Sequence, residues 1–283
     1  MLLDFSSVAM SSIMVQIKEY KDKPDMVRHT IFNIIRKYNL MFREEYGQMV
    51  ICIDSKNSWR REYFPEYKAL RRKNRKEDKH DWKAIFEIFN QTKDELNDVT
   101  PFITIEVPGC EADDIIGHLC ATKHPGEPIV IVSPDRDFVQ LHQYPNVQQY
   151  SNLQKKWVKA KKEPVFELEE KIMKGDAGDG IPNVLSNDDV LIAEDKRQTP
   201  LVAKKVDMLI KDPEALGTTV ARRVIRNRTL IDLRRTPEEL KKEIDVQYNK
   251  EHKGSIQELM SFFIKHRMGM LLESLGDFET RNK

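Results

Sequence analysis

Five times in this chain of 283 residues an apolar or helical run meets a loop that carries carboxylates: Asp4 after Leu2 and Leu3, Asp54 after Val50 to Ile53, Glu111 with Asp113 and Asp114, Asp135 with Asp137 after Ile129 to Val132, and Asp176 with Asp179. Short apolar runs alternating with longer helical patterns signal βαβ units around a mostly parallel sheet. In such a sheet ligands sit outside the carboxyl ends of the strands, so acids placed there converge although they are far apart in sequence. Converging carboxylates resist joint ionisation unless a cation compensates, and an oxygen-only donor set selects Mg²⁺ or Mn²⁺. The pattern points to an α/β fold with a metal centre and to metal-dependent phosphoryl chemistry.

The spacing predicts strands at Met1 to Asp4, Met49 to Asp54, Phe102 to Val107 and Pro128 to Ser133. Between the first two, Met26, Ile31, Ile34, Ile35, Tyr38 and Phe42 recur at helical intervals, with Asp25 placed to cap. Gln148 to Ala160 reads as a basic hairpin. Beyond Tyr150 the long β-rich runs stop, and we place a boundary near Pro164: an α/β domain over 1–163 and a helical one over 164–283. Helices are expected at Phe166 to Lys174, Leu201 to Ile210, Pro237 to Asn249 and Ile256 to Leu275, broken by Gly175, Gly178, Gly180 and the Pro182 turn.

A formal charge of +1 argues against a uniformly basic nucleic-acid binder but conceals strong segregation of charge. The three cysteines, Cys52, Cys110 and Cys120, have no Cys-x-x-Cys spacing, which suggests a reducing compartment without structural zinc. No apolar stretch approaches the roughly 20 residues that span a bilayer. The expectation is a cytoplasmic protein with no membrane partner. No Gly-x-Gly-x-x-Gly follows the first strand, which disfavours dinucleotide binding. Ser6 stands where an aspartyl-nucleophile phosphatase would carry its second Asp, and the scattered histidines form no catalytic constellation.

Asp135 and Asp137, at spacing two, point to the same side if extended, which suits two ligands of one metal site. Capping explains each acid loop singly, yet not five of them together. After Asp54 comes a segment dense in cations, among them Arg60, Lys68, Arg71, Arg72, Lys73 and Arg75, interleaved with Trp59, Tyr63, Phe64, Tyr67 and Trp82. Cations neutralise a phosphate backbone and aromatic rings stack on unpaired bases, a pairing suited to single-stranded nucleic acid. Lys68 and Arg71, three apart on a helix, would face a scissile phosphate. In the Lys174 to Asn183 loop, glycine permits close backbone approach, so its amides are expected to meet phosphates.

The order of these motifs resembles the flap endonuclease, or 5′-nuclease, family, and within it the ribonuclease H branch of T-even-type bacteriophages. Leu3-Asp4-Phe5-Ser6, Cys52-Ile53-Asp54, Trp59-Arg60-Arg61, Tyr67-Lys68, Glu111-Ala112-Asp113-Asp114, Ser133-Pro134-Asp135-Arg136-Asp137-Phe138 and Lys174-Gly175-Asp176 carry the likeness. It implies an α/β nuclease domain, a helical arch over the active site and a helix-three-turn-helix that holds downstream duplex. By position Asp4, Asp54, Glu111, Asp113, Asp135, Asp137 and Asp179 match metal-site acids, with Asp176 in an outer shell. Arg60, Lys68 and Arg71 match arch residues that contact the reacting phosphate. The Gly175 to Asn183 loop is similar to one that binds duplex and a monovalent cation.

Two departures stand out: Asp4 is almost terminal, so the native start is expected either here or upstream, and the acidic stretch Ser186 to Asp195 interrupts the second half of the helix-three-turn-helix. Leu275-Gly276-Asp277-Phe278 is a candidate tether to a sliding clamp.

The expected function is structure-specific 5′-nuclease activity, exonucleolytic and flap-endonucleolytic with ribonuclease H activity. Two Mg²⁺ ions, replaceable by Mn²⁺, would serve it in removing RNA primers and 5′ flaps during phage replication. Expected partners are DNA and RNA–DNA hybrid with a flap or fork, a sliding clamp and a single-strand DNA-binding protein, with the chain itself a monomer. A binding factor that kept the fold without the chemistry would lack some of these acids. A small toxin-type ribonuclease would lack the basic segment and the Gly-Asp loop.

Overall fold

A computed structural model describes residues 1–15, 24–122, 126–212 and 217–280. Strand β1 (Leu2–Asp4) runs directly into helix α1 (Phe5–Val15), and α2 (Pro24–Tyr46) leads to β2 (Val50–Cys52). A basic excursion follows, with α3 (Trp59–Tyr63), α4 (Ala69–Glu77) and α5 (Trp82–Val99), before β3 (Ile103–Ile105) and α6 (Ala112–Thr122). Then come β4 (Ile129–Val132), a 3₁₀ helix over Arg136–Gln143, β5 (Val147–Ser151) and β6 (Lys156–Trp157). The rest is helical: α7 (Pro164–Lys174), α8 (Ala203–Lys211), α9 (Thr218–Ile231), α10 (Glu238–Tyr248), α11 (Ile256–Lys265) and α12 (Gly269–Leu272).

The strands form one sheet in the order β3-β2-β1-β4-β5-β6, parallel throughout except for β6. The chain winds outward from β1 to β3, then returns to the other side of β1 for β4. The direction of winding thus reverses between β1 and β4, the place where an open α/β sheet opens its crevice. Helices cover both faces, so the strands are apolar at nearly every position. Leu3, Ile51, Val130 and Val132 pack under α2 and α5, whereas Leu2, Val50, Cys52, Ile129 and Ile131 pack under α6. All three cysteines are buried and unpaired thiols.

Residues beyond Pro164 contribute to three cores. Helices α7, α8 and α9 enclose one with Phe64 and Tyr67 of the basic excursion. Helix α10 supplies Ile244 to the α6 face, and α11, α12 and Phe278 join the opposite face.

The structure adds elements to the expected set, among them a strand and helices α1, α5 and α9. Gln148 to Ser151, expected only as the start of a hairpin, forms a parallel strand whose buried Gln149 amide donates to the carbonyls of Ser133 and Asp135. Helix α9 escaped notice because arginines crowd between its core residues Val220, Val224 and Leu230. The helix expected over Ile256 to Leu275 breaks at Arg267, whose φ of 55° ends α11 before α12 begins. Asp25 lies inside α2 and pairs with Arg28 at 2.6 Å, so it is not a flanking cap.

Candidate metal centre and active site

The carboxyl ends of the central strands bring the first group of acids together. Asp4 ends β1, accepts from the Ser133 hydroxyl at 2.8 Å and from the Ser7 amide at 3.1 Å, and is 9% exposed. Burial, then the charges of Asp54 and Asp135, push its carboxyl up to about 7 against those hydrogen bonds. Asp54 lies past the end of β2 and accepts from the Ala112 amide at 2.8 Å, at the start of α6. Asp113, in the first turn of α6, is driven well above the carboxylate range by burial and by Asp135, with Asp4 and Glu111 adding to the effect. Asp135 caps the 3₁₀ helix through the Asp137 amide at 2.9 Å, so capping and membership of the acid cluster coexist in one residue.

A second group is tighter. Asp137, Asp176 and Asp179 each offer a carboxylate oxygen within 4.8 Å of the others, the one such set of three among the described residues. Burial raises the carboxyls of Asp137 and Asp179, whereas Lys171 holds that of Asp176 low against the penalty of its burial. Asp135 does not share this set, because Arg136 begins a 3₁₀ helix and the extended geometry that would align Asp135 with Asp137 is lost. Asp176, expected in an outer shell, is a full member of it.

Besides Arg60, three cations among the described residues reach the acids. Lys68 donates to Glu111 at 2.6 Å and lies 3.9 Å from Asp179, while Arg71 pairs with Asp179 at 2.7 Å and donates to the Gly178 carbonyl. Lys68 caps α4 with a φ of 53°, so it meets Arg71 through a turn and not along a helix face. Lys171, unremarked in the sequence, bridges Asp137 and Asp176 from α7. The Tyr67 hydroxyl donates to Glu111 at 2.7 Å and lies 3.2 Å from Asp179, which joins the two groups of acids.

Arg60 is a correction. Expected to meet a phosphate, its side chain is 2% exposed, pairs with Asp114 at 2.8 Å and Glu111 at 3.4 Å, and donates to the Leu230 carbonyl. Two of the aromatic rings are likewise withdrawn from base stacking: Phe64 and Tyr67 are buried. Trp59 lies beneath Arg60 and donates to Asp114, and Trp82 lies beneath Arg75, which leaves Tyr63 the most exposed ring of the five. The cations of α4, by contrast, project from a helix with no buried residue.

The Gly-Asp loop also departs from expectation. Its amides at Asp176, Asp179, Gly180 and Ile181 are engaged within the loop, and the Asp179 carbonyl accepts from the Lys68 amide at 2.7 Å. The loop therefore serves to seat Asp176 and Asp179 against the basic excursion. The candidate clamp tether is closed off as well: Phe278 is fully buried beside Phe102 and Phe263, and Asp277 pairs with Arg36.

The chain matches known proteins along nearly its whole length. The family model described as the 5′-3′ exonuclease N-terminal resolvase-like domain matches residues 1–171, and that of the T4 RNase H C-terminal region matches 163–278. The chain is 34% identical to the ribonuclease H of Enterobacteria phage T4, over 98% of this chain and 95% of that one. Among solved structures, the T5 D15 flap endonuclease in a pseudo-enzyme–product complex with DNA and metal ions superposes with a TM-score of 0.59 at 18% identity, covering 88% of this chain and 98% of that one. The T5 5′-exonuclease with bound zinc gives 0.58 at 18%, covering 87% and 97%. The mostly parallel sheet, the acids at its switch point and these matches lead to one conclusion: the chain belongs to the 5′-3′ exonuclease family, the metal-dependent nucleases that include ribonuclease H of phage T4.

Proposed function

We propose that this chain cleaves phosphodiesters at the 5′ ends and 5′ flaps of nucleic acid, trimming RNA primers and short flaps during phage DNA replication with two Mg²⁺ ions. The observation that carries the reading is the convergence of eight carboxylates from distant segments at the carboxyl ends of the central strands and the loop after α7, with Lys68 and Arg71 reaching into them from the basic excursion. The donors fit the ions: they are all carboxylate oxygens, and Asp4 and Asp113 carry a burial and repulsion penalty that a divalent cation would relieve. One ion would be held around Asp4, Asp54, Glu111, Asp113 and Asp135, the other at Asp137, Asp176 and Asp179. Bound there, the ions supply an activated water and Lewis-acid stabilisation of the leaving oxygen.

The protein's own groups do the remainder. Lys68 stays protonated despite its burial because Glu111 and Asp179 flank it, and so offers a fixed ammonium to the phosphoryl oxygens. Arg71, half exposed, extends that positive field outward. The cations of α4 attract the backbone of an incoming strand. The same proposal includes DNA and RNA–DNA hybrid with a flap or fork as substrate and a monovalent cation at the Gly175 to Asn183 loop. A sliding clamp and a single-strand DNA-binding protein as replication partners, monomeric action and the host cytoplasm as its setting belong to it too. No helix among the described residues is long and apolar enough to cross a membrane.

The test is cleavage of a 5′-labelled flap on nicked duplex, with Mg²⁺ or with EDTA, by wild type and Asp135→Asn. Short 5′ products that need Mg²⁺ and vanish in the variant, while binding persists, are expected. Binding without cleavage in both Mg²⁺ and Mn²⁺ would reject the reading.

A further inference from the structure

The carboxylate triad already has occupants made of protein. Asp176 accepts the Asp179 amide on Oδ1 at 3.1 Å and the Lys171 ammonium on Oδ2 at 2.8 Å. Asp179 takes Arg71 on Oδ1 at 2.7 Å and the Tyr67 hydroxyl on Oδ2 at 3.2 Å. Asp137 takes Lys171 on Oδ1. Among the described residues, Lys171 is thus the one cation that pairs with two members of the triad. It is held there by the end of α7: Gly175, with a φ of 69°, turns the chain so that Asp176 folds back toward the helix that carries Lys171. A side chain at Gly175 would collide with the Ile181 carbonyl at 2.3 Å, so the turn that places Asp176 beside Lys171 is closely packed.

The Lys171 ammonium takes up lone pairs on one oxygen of Asp137 and one of Asp176 and repels a divalent cation placed beside them, so an ion at the triad either displaces it or binds against its charge. Among the described residues no lysine bridges two of the strand-end acids: Asp4 and Asp54 accept from hydroxyls and amides, and Lys68 meets Glu111 alone of that group.

Resting on the metal reading above, we propose that Lys171 is a resident competitor for the Asp137–Asp176–Asp179 site. It sets the affinity of the ion bound there below that of the ion at the strand ends, which makes it a positioning residue for metal loading and not a substrate contact.

The measurement is calorimetric titration of Mn²⁺ into the full chain without nucleic acid. Wild type is expected to show a tighter and a weaker class of site. Lys171→Met should tighten the weaker class about tenfold or more, the scale of one charged hydrogen bond no longer displaced, and leave the tighter class within about twofold. Lys174→Met removes the same charge from the same helix, at a lysine paired with Glu170, and should change neither class by more than about twofold. Adding Asp176→Asn to Lys171→Met should cancel the gain. Weaker-class affinity that is unchanged or lowered in Lys171→Met, or raised equally in Lys174→Met, would overturn the proposal and leave the metal reading intact. Wild type that takes up no Mn²⁺ would overturn both. Lys171→Gln, checked for wild-type circular dichroism, serves as the second neutral variant and carries the same expectations.

Discussion

Arg60 and Lys68 stand eight residues apart in one cation-rich segment, and the fold gives them opposite work. Arg60 neutralises Asp114, a fully buried carboxylate that also accepts from the Glu111 amide and the Thr236 hydroxyl. That arrangement fixes the start of α6 and hence Glu111 and Asp113. Removing one member of a buried pair strands the other, so Arg60→Ala should cost about 3 to 5 kcal/mol in urea unfolding. A cost under about 1 kcal/mol would show that Asp114 is compensated elsewhere. Lys68 is partly open to solvent and lies among the acids. Lys68→Ala is expected to slow single-turnover cleavage by about 10²-fold or more while raising Kd only a few-fold. Equal losses in rate and affinity would reduce Lys68 to a binding residue.

At the level of elements, the Gly-Asp loop and the segment around Lys68 hold each other in place. Gly180 has a φ of 74°, and a Cβ there would lie 2.7 Å from the Glu66 carbonyl, so only glycine lets the two backbones meet. Gly180→Ala should therefore part the loop from the segment and destabilise the protein by about 1 to 3 kcal/mol. Cleavage should fall further than stability alone explains, because Asp179 and Lys68 would separate. Comparing thermal unfolding with single-turnover rate at a temperature where the variant is folded distinguishes the two effects. Helix α4 behaves differently: with no buried residue it contributes charge and not packing.

Across the whole molecule, the crowding of acids makes stability depend on pH and on metal. Asp4 has its folded value raised from 3.8 to about 7, so it favours the folded state below about 4 and that contribution is lost as pH rises toward 7. Glu111 and Asp176, held low, act in the opposite direction and lose their contribution as pH falls. Asp4→Asn isolates the first effect: its stability relative to wild type should rise between about pH 4 and 7, by an amount on the order of 2 to 4 kcal/mol, and Mg²⁺ should stabilise wild type more than the variant. A difference between the two proteins that stays flat with pH would mean that Asp4 is not under this strain.

The alternation of strand and helix, the parallel sheet and the acids at its edge were legible in the sequence because burial on both faces requires unbroken apolar strands and leaves polar groups only at their ends. The division of labour was not. Whether Arg60 is buried, whether Lys171 meets Asp137, and whether Phe278 is a tether or core depend on contacts across 54, 34 and 176 residues of chain, and local pattern is blind to them. Tertiary structure decided these, since the charge of a lysine or arginine acts on whichever carboxylates the fold brings within a few ångströms.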